Sequence, residues 1–417
     1  MANQEHLVLI KQGVTVWNEW YKQNKKIIPD LAKANLNGLN LSGINLQKAD
    51  LNHANLGNTD LTKAQLADSN LEGANFLAAN LEYANLKGAN LNYVIFSQAK
   101  LNAKTLISAN SRKVWEIVND LVKDKNLSGV DLRNSNLFRA DLSKADLSHA
   151  KLENANLNSA NLNNAYLFKA DLSNANLQNA DLRNAYFSQA NLNGANLIGA
   201  SCCGTYFKDA ELKFANLKRA IFSRKTMIDL KWQFVWELVN RGGANKNLSG
   251  VDLSNANLQG VNFAEANLKG ANLSHAILRY SNLELANLTN TDLAGANVSG
   301  VDLNRANLKG AKLKSVVGLD TKLPVNVRAT DSNIMVKERP TIIQTTPKLS
   351  TNLDNTVIQK QDLPKQKKNT GIFGLFLLAL VASGIAGCYV YLNQNSEFSW
   401  QKLQPWKQNV EQLAPVN

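Results

Sequence analysis

The sequence predicts an all-β solenoid in three blocks, with short helical caps and one C-terminal transmembrane α-helix. Three observations carry this reading. A five-residue period runs from about Leu31 to about Leu313, two related segments interrupt it, and an uncharged apolar stretch covers 371–392.

The unit reads small residue, Asn or Asp, Leu or Phe, then two variable polar residues, as in Ala54-Asn55-Leu56, Ala140-Asp141-Leu142, Ala195-Asn196-Leu197 and Ala266-Asn267-Leu268. A period of five matches neither the alternation of a strand nor the 3.6 residues of an α-helix, so the chain must turn at every unit. With two residues in five pointing inward, Leu or Phe fills a narrow tube and the small residue lets the wall turn around it. One coil cannot bury its own leucines, so stability comes from stacking coils about 4.8 Å apart.

Taken in order, residues 1–30 form an N-terminal helical cap around Val14, Trp17 and Trp20. Residues 31–106 are the first repeat block. The stretch 107–126 is a helical insert, in which Val114, Ile117, Val118 and Leu121 fall at helical spacing. Residues 127–227 are the second block, 228–247 a second insert, and 248–317 the third block. Trp115 and Trp236 occupy the same place in the two inserts. With Trp17 they are read as structural caps over open coil ends rather than as part of a cofactor box. Pro29 precedes the first repeat and the next proline is Pro324, as a hydrogen-bonded ladder requires.

Past the repeats, 318–370 carries four prolines among Thr, Lys, Asn and Gln and reads as a disordered linker. The stretch 371–392 would be about 33 Å long as a helix, enough to cross a bilayer core of about 30 Å. Residues 393–417 are a short tail. Lys360, Lys365, Lys367 and Lys368 precede the span, whereas Lys402 and Lys407 beyond it are balanced by Glu397 and Glu411. The positive-inside rule therefore predicts a single-pass protein with its repeats in the cytoplasm and its C-terminus on the far side. Lys365, Lys367 and Lys368 are placed to contact anionic lipid. The first six residues lack the basic and apolar regions of a signal peptide.

The unit resembles that of the pentapeptide-repeat proteins, and the resemblance covers about two-thirds of the chain. It implies a right-handed quadrilateral β-helix with about twenty residues per coil. On that register Asn136, Asn156, Asn176, Asn196 and Asn216 form an amide ladder. Leu36, Leu56, Phe76 and Phe96 line one inner wall, and Leu147, Leu167, Phe187 and Phe207 another. Cys202 takes an inward Leu place, with the larger Phe222 next in its stack. The blocks with Val-Trp-Glu inserts and a membrane segment are similar to cyanobacterial members of the family, whose settings include envelope, heterocyst and transport functions.

Little in the chain suggests chemistry. His53, His149 and His275 fall at the second variable position of separate units, so no metal set converges. No phosphate loop or nucleophile elbow is present, and a filled tube leaves no deep pocket. No enzyme activity, cofactor or metal is expected. The net charge of +13 opposes imitation of DNA, the basis of gyrase inhibition by some relatives. Outward basic residues do not align at twenty-residue steps: Arg133 is followed by Glu153, Ser173 and Asn193, and Lys144 by Asn164, Asn184 and Gly204. Nucleic acid is accordingly a poor fit as a partner.

Tyr166, Tyr186 and Tyr206 replace the usual Asn or Asp at twenty-residue steps, near Phe168. Two readings fit this strip, a ladder-stabilising stack and a partner-binding contact. The expected function is a non-enzymatic, membrane-tethered scaffold that presents a rigid β-helical rod to protein partners. The alternative is a regulator of one membrane transporter or enzyme complex.

Overall fold

The computed structural model describes residues 2–324, 327 and 335–337. Each five-residue unit makes one corner of a coil. The carbonyl of Leu31 accepts the N–H of Ala34 at 3.0 Å, and Lys33 between them adopts φ 61°, giving a type II-like turn. The Asp or Asn side chain closes the same corner by accepting the N–H two residues on, as from Ala32 to Asp30 at 3.0 Å and from Ser42 to Asn40 at 3.1 Å. The second variable position thus requires a left-handed backbone, which costs most L-residues roughly 1–2 kcal/mol and is easiest for Gly, Asn and Asp. This explains its polar and glycine-rich composition. Gly73 shows a further constraint, since a Cβ there would lie 2.3 Å from the His53 imidazole one coil below.

Coils pair in parallel at twenty-residue steps, with bridges Asp30–Asp50, Asn35–Asn55, Asn40–Asp60 and Asn45–Gln65 marking four sides. The result is a right-handed β-helix solenoid. Leu and Phe of nearly every unit are buried, with Leu91 and Leu308 only half-buried, and most small residues are buried too. Where Thr takes the small position, its hydroxyl donates to a Leu carbonyl one coil away, as Thr59 does to Leu36 at 2.9 Å. Phe76 stacks on Phe96 at 6.0 Å, and Phe187 on Phe207 at 5.2 Å. Cys202 is fully buried in a Leu place.

The amide ladder runs from Asn136 through Asn156 and Asn176 to Asn196, each amide donating to the oxygen below at 3.2 Å. Asn216 pairs with Asn196 through the backbone and closes its own corner at Lys218 like the other members, but among the described residues its amide makes no bond to Asn196. The expected five-residue amide ladder is therefore one rung shorter.

At the N-terminus the cap is a helix pair, α1 (Gln4–Lys11) and α2 (Val14–Gln23), rather than a copy of the single-helix inserts. Trp17 is fully buried and donates its indole N–H to Asn45 at 2.6 Å. The inserts hold α3 (Ala109–Val118) and α4 (Leu230–Arg241). Their anchors match closely. Trp115 donates to the Ala99 carbonyl and Trp236 to that of Ala220, both at 2.8 Å. Asn119 and Asn240 each tie the helix end to the preceding coil, at Phe96 and Leu217. Before each helix one coil takes an additional residue, so that Asn85 pairs with Leu106 and Tyr206 with Met227.

The ladder is not severed at the inserts. At one corner the N–H of Tyr93 donates to Asn134 at 2.7 Å, and that of Phe214 to Asn255 at 2.8 Å, so adjoining blocks meet directly beside the helix.

The last coil extends past residue 317. Asp302 pairs with Lys322, Thr321 and Leu323 are buried, and β1 (Val317–Leu319) pairs in parallel with β2 (Met335–Lys337). The start of the expected linker is thus part of the solenoid, because apolar residues still fill the inward places after the period fades. The remainder of that linker, the expected membrane span 371–392 and the tail lie outside the described residues. Among the described residues no helix is long and apolar enough to cross a membrane.

Candidate protein-interaction surface

The three tyrosines stand on one side of the second block, in the column that begins Asn126–Asp146 and continues Tyr166–Tyr186–Tyr206–Met227. Backbone pairing of adjacent coils fixes the interval, and the rings stack with centroids 6.0 Å and 4.9 Å apart. Tyr166 is 56% exposed, Tyr186 47% and Met227 52%, while Tyr206 is half-buried. Phe168, 38% exposed, flanks the strip two residues beyond Tyr166, with His149 edge-on at 5.8 Å and the Lys169 ammonium 5.2 Å from its ring.

A tyrosine at this position cannot close its corner as Asn or Asp does. The three lost hydrogen bonds, at about 1 kcal/mol each, roughly offset two aromatic contacts worth about 0.5–1.5 kcal/mol each. Stability alone gives little reason for the exchange, whereas exposed tyrosine is favoured at interfaces.

Sequence reasoning missed one member of this surface, Met227. It falls outside a twenty-residue register because of the additional residue before it. Phe138, 44% exposed with the Arg139 guanidinium 5.1 Å from its ring, follows the Asn136 column two sides away and is not part of the strip. The signal for Met227 was present in the Thr-Met that breaks the period, but the length of that coil had to be known first.

The cap tryptophans face inward. Trp236 lies flat on Phe222, with centroids 4.8 Å apart and planes 7° from parallel. Each of the three ties its helix to a coil through its indole N–H, at Asn45, Ala99 and Ala220. His53, His149 and His275 are exposed on separate turns, and among the described residues no group of three or more His, Cys, Asp and Glu could hold a metal. Burial pushes the Cys202 thiol up well beyond its ordinary range, which leaves it a poor nucleophile.

The chain matches the family described as Pentapeptide repeats, in eight copies, over residues 30–62, 59–98, 126–154, 145–184, 185–224, 247–284 and 281–317. Among solved structures it is similar to HetL, a pentapeptide repeat protein involved in heterocyst differentiation regulation from the cyanobacterium Nostoc sp. strain PCC 7120. The identity is 25%, over 69% of this chain and 87% of that one, with a TM-score of 0.17. A second pentapeptide repeat protein of Nostoc PCC 7120 is 32% identical over 24% of this chain and 84% of its own, with a TM-score of 0.19. One from the Arabidopsis thaliana thylakoid lumen is 31% identical over 30% and 83%, again with a TM-score of 0.19. With TM-scores this low these likenesses carry no argument about function. No curated protein matches the chain.

Proposed function

Since the chain belongs to the pentapeptide-repeat family, matched over more than half its length, we propose that it is a non-enzymatic scaffold whose solenoid binds protein partners beside a membrane. The observation that carries the reading is the exposed Tyr166–Tyr186–Tyr206–Met227 strip with Phe168 at its flank. Interfaces draw their binding energy from a few aromatic anchors. Rigid stacked coils hold this strip in one geometry, so little ordering entropy is lost on docking.

The tether in this reading is 371–392, with Lys365, Lys367 and Lys368 against anionic lipid, the solenoid on the cytoplasmic side and the C-terminus across the membrane. Confinement to a surface raises the effective concentration of any partner held there. Regulation of one transporter or enzyme complex is the narrower form of the same proposal.

A photo-crosslinking residue at Tyr186 in the full chain tests it in the native cell. The expected result is a discrete protein adduct that disappears when Tyr166 and Tyr206 are changed to Asn, and that shrinks when 371–392 is deleted. Adducts that persist unchanged in both variants would overturn the strip and the tether. A single stoichiometric membrane adduct would select the regulator over the general scaffold.

A further inference from the structure

The two block junctions share one construction but are finished differently. At each, a helix about 10 Å across props apart two coils that meet at one corner, Tyr93–Asn134 or Phe214–Asn255. Two layers of stacked strand also occupy about 10 Å. The side next to that corner is therefore open by about one strand.

Its edges show the same count. In an ordinary coil the bridging residue donates its N–H to the coil below and accepts from it, as Asn55 does with Ala34 and Leu36. Between Asn90 and Asp131 that rung is skipped. Among the described residues the carbonyls of Ala89 and Asp131 and the N–H groups of Leu91 and Asp131 have no hydrogen-bond partner. They border a cleft of about 350 Å³, whose floor includes Val94, Val114 and Leu132 and whose rim includes Asn90, Asn92 and Ser111.

At the second junction the same rung is skipped, with the carbonyls of Ala210 and Asp252 and the N–H groups of Leu212 and Asp252 likewise unpartnered among the described residues, but α4 presents larger side chains there. Trp232, in the place of Ser111, is 9% exposed. Lys231, in the place of Asn110, reaches across to Asp252 and Ser254, both at 2.9 Å. The first helix has small polar residues at these two positions, and Asp131 pairs instead within its own corner with Arg133 at 2.7 Å.

We propose that the first junction is a peptide-binding slot, in which an extended segment of a partner protein supplies the skipped rung. Three residues suffice. The central residue donates to Ala89 and accepts from Leu91, the preceding carbonyl accepts from Asp131, and the following N–H donates to the Asp131 carbonyl. This is strand addition, in which main-chain bonds give affinity and side-chain places give selectivity. The coil's own pattern sets the selectivity: a small residue, then Asn facing the rim beside Asn90, then an apolar side chain toward Val114 and Leu132. The inference rests on the reading of the protein as a binder of proteins, but not on the tyrosine strip.

The test uses the full chain and a fluorescein-labelled peptide, Gly-Ser-Ala-Asn-Leu-Ser-Gly, followed by anisotropy. Saturable binding below about 1 mM is expected. At least a tenfold loss should follow when the peptide Asn nitrogen is methylated, since it can no longer donate to Ala89. The double variant Asn110→Lys, Ser111→Trp copies the second junction and should bind at least tenfold more weakly, with an unchanged or raised melting temperature. Equal binding of the methylated and unmethylated peptides, or no saturation, overturns the slot. The methylation comparison decides the matter if the double variant fails to fold. The triple Tyr166→Asn, Tyr186→Asn, Tyr206→Asn variant should bind the peptide normally, so failure of the strip and failure of the slot are distinguishable.

Discussion

The N–H of Tyr93 donates to the carbonyl of Asn134 at 2.7 Å, although 41 residues separate them. The ordinary step between coils is twenty. An entire helical insert is thus looped out between two coils that still touch, and the Tyr93 hydroxyl reinforces the corner by bonding the Asn134 side chain at 3.1 Å. Because each block contacts its neighbours through such narrow seams, perturbations should stay local, as in other repeat architectures.

Trp236→Ala tests that locality. It removes the parallel stack on Phe222 and the indole bond to Ala220. A large buried aromatic cut to Ala costs about 3–5 kcal/mol. Hydrogen exchange should show lost protection near Phe207–Phe222 and Leu253–Phe263, with Leu36–Phe76 unaffected. A uniform loss over all three blocks would contradict the seam picture.

Asn176→Asp isolates the donor half of the ladder. The carboxylate can still accept from Gln178 and Asn196, but it cannot donate to Asn156. A loss of about 1 kcal/mol is expected, read from the denaturant midpoint at pH 7. Partial recovery should appear at pH values low enough to protonate the new acid. No change at either pH would show that the backbone bridges alone carry the stack.

Glu237 links stability to pH. It is 7% exposed on α4, and burial holds its carboxyl above the usual range against the opposing pull of Arg241 and Lys246. The folded chain therefore binds more protons here than the unfolded chain between the ordinary value, about 4.3, and the raised one. This contribution to stability is fully present below the ordinary value and is lost as pH rises through the raised one. Glu237→Gln should raise the melting temperature at pH 7, and the gain should shrink toward pH 4. A lower melting temperature at pH 7 would mean that the charge is better compensated than its burial implies.

Cys202 should resist iodoacetamide at pH 8 in the folded chain, because it is fully buried and its thiol is pushed up. Peptide mass mapping after a timed pulse reads this out at Cys202 alone. Prompt labelling without denaturant would require the second block to open readily.

Much of the fold was legible because its rules are local. Each unit closes its own corner through contacts two and three residues apart, as Asp30, Lys33 and Ala34 show, and the same five residues dictate which side chains point inward. The Tyr166–Tyr186–Tyr206 alignment followed from that period. Met227 did not, since a twenty-one-residue coil breaks the count. Nor did the paired helices of the N-terminal cap, whose burial of His6 between Trp17 and Trp20 depends on contacts distant from any repeat.

The sequence by itself determined the turn at every fifth residue, the leucine-filled interior and the places where helices must cover coil ends. Tertiary structure alone decided how the blocks meet and how each junction is finished. Ser111 and Trp232 occupy matching places in helices of similar pattern, yet only the packing of each helix between two coils shows that the skipped rung borders a cleft at the first junction and is crossed by Lys231 at the second. The physical reason is range: a corner is settled by hydrogen bonds within five residues, whereas a junction depends on how a helix about 10 Å wide fits between coils that already touch on one side.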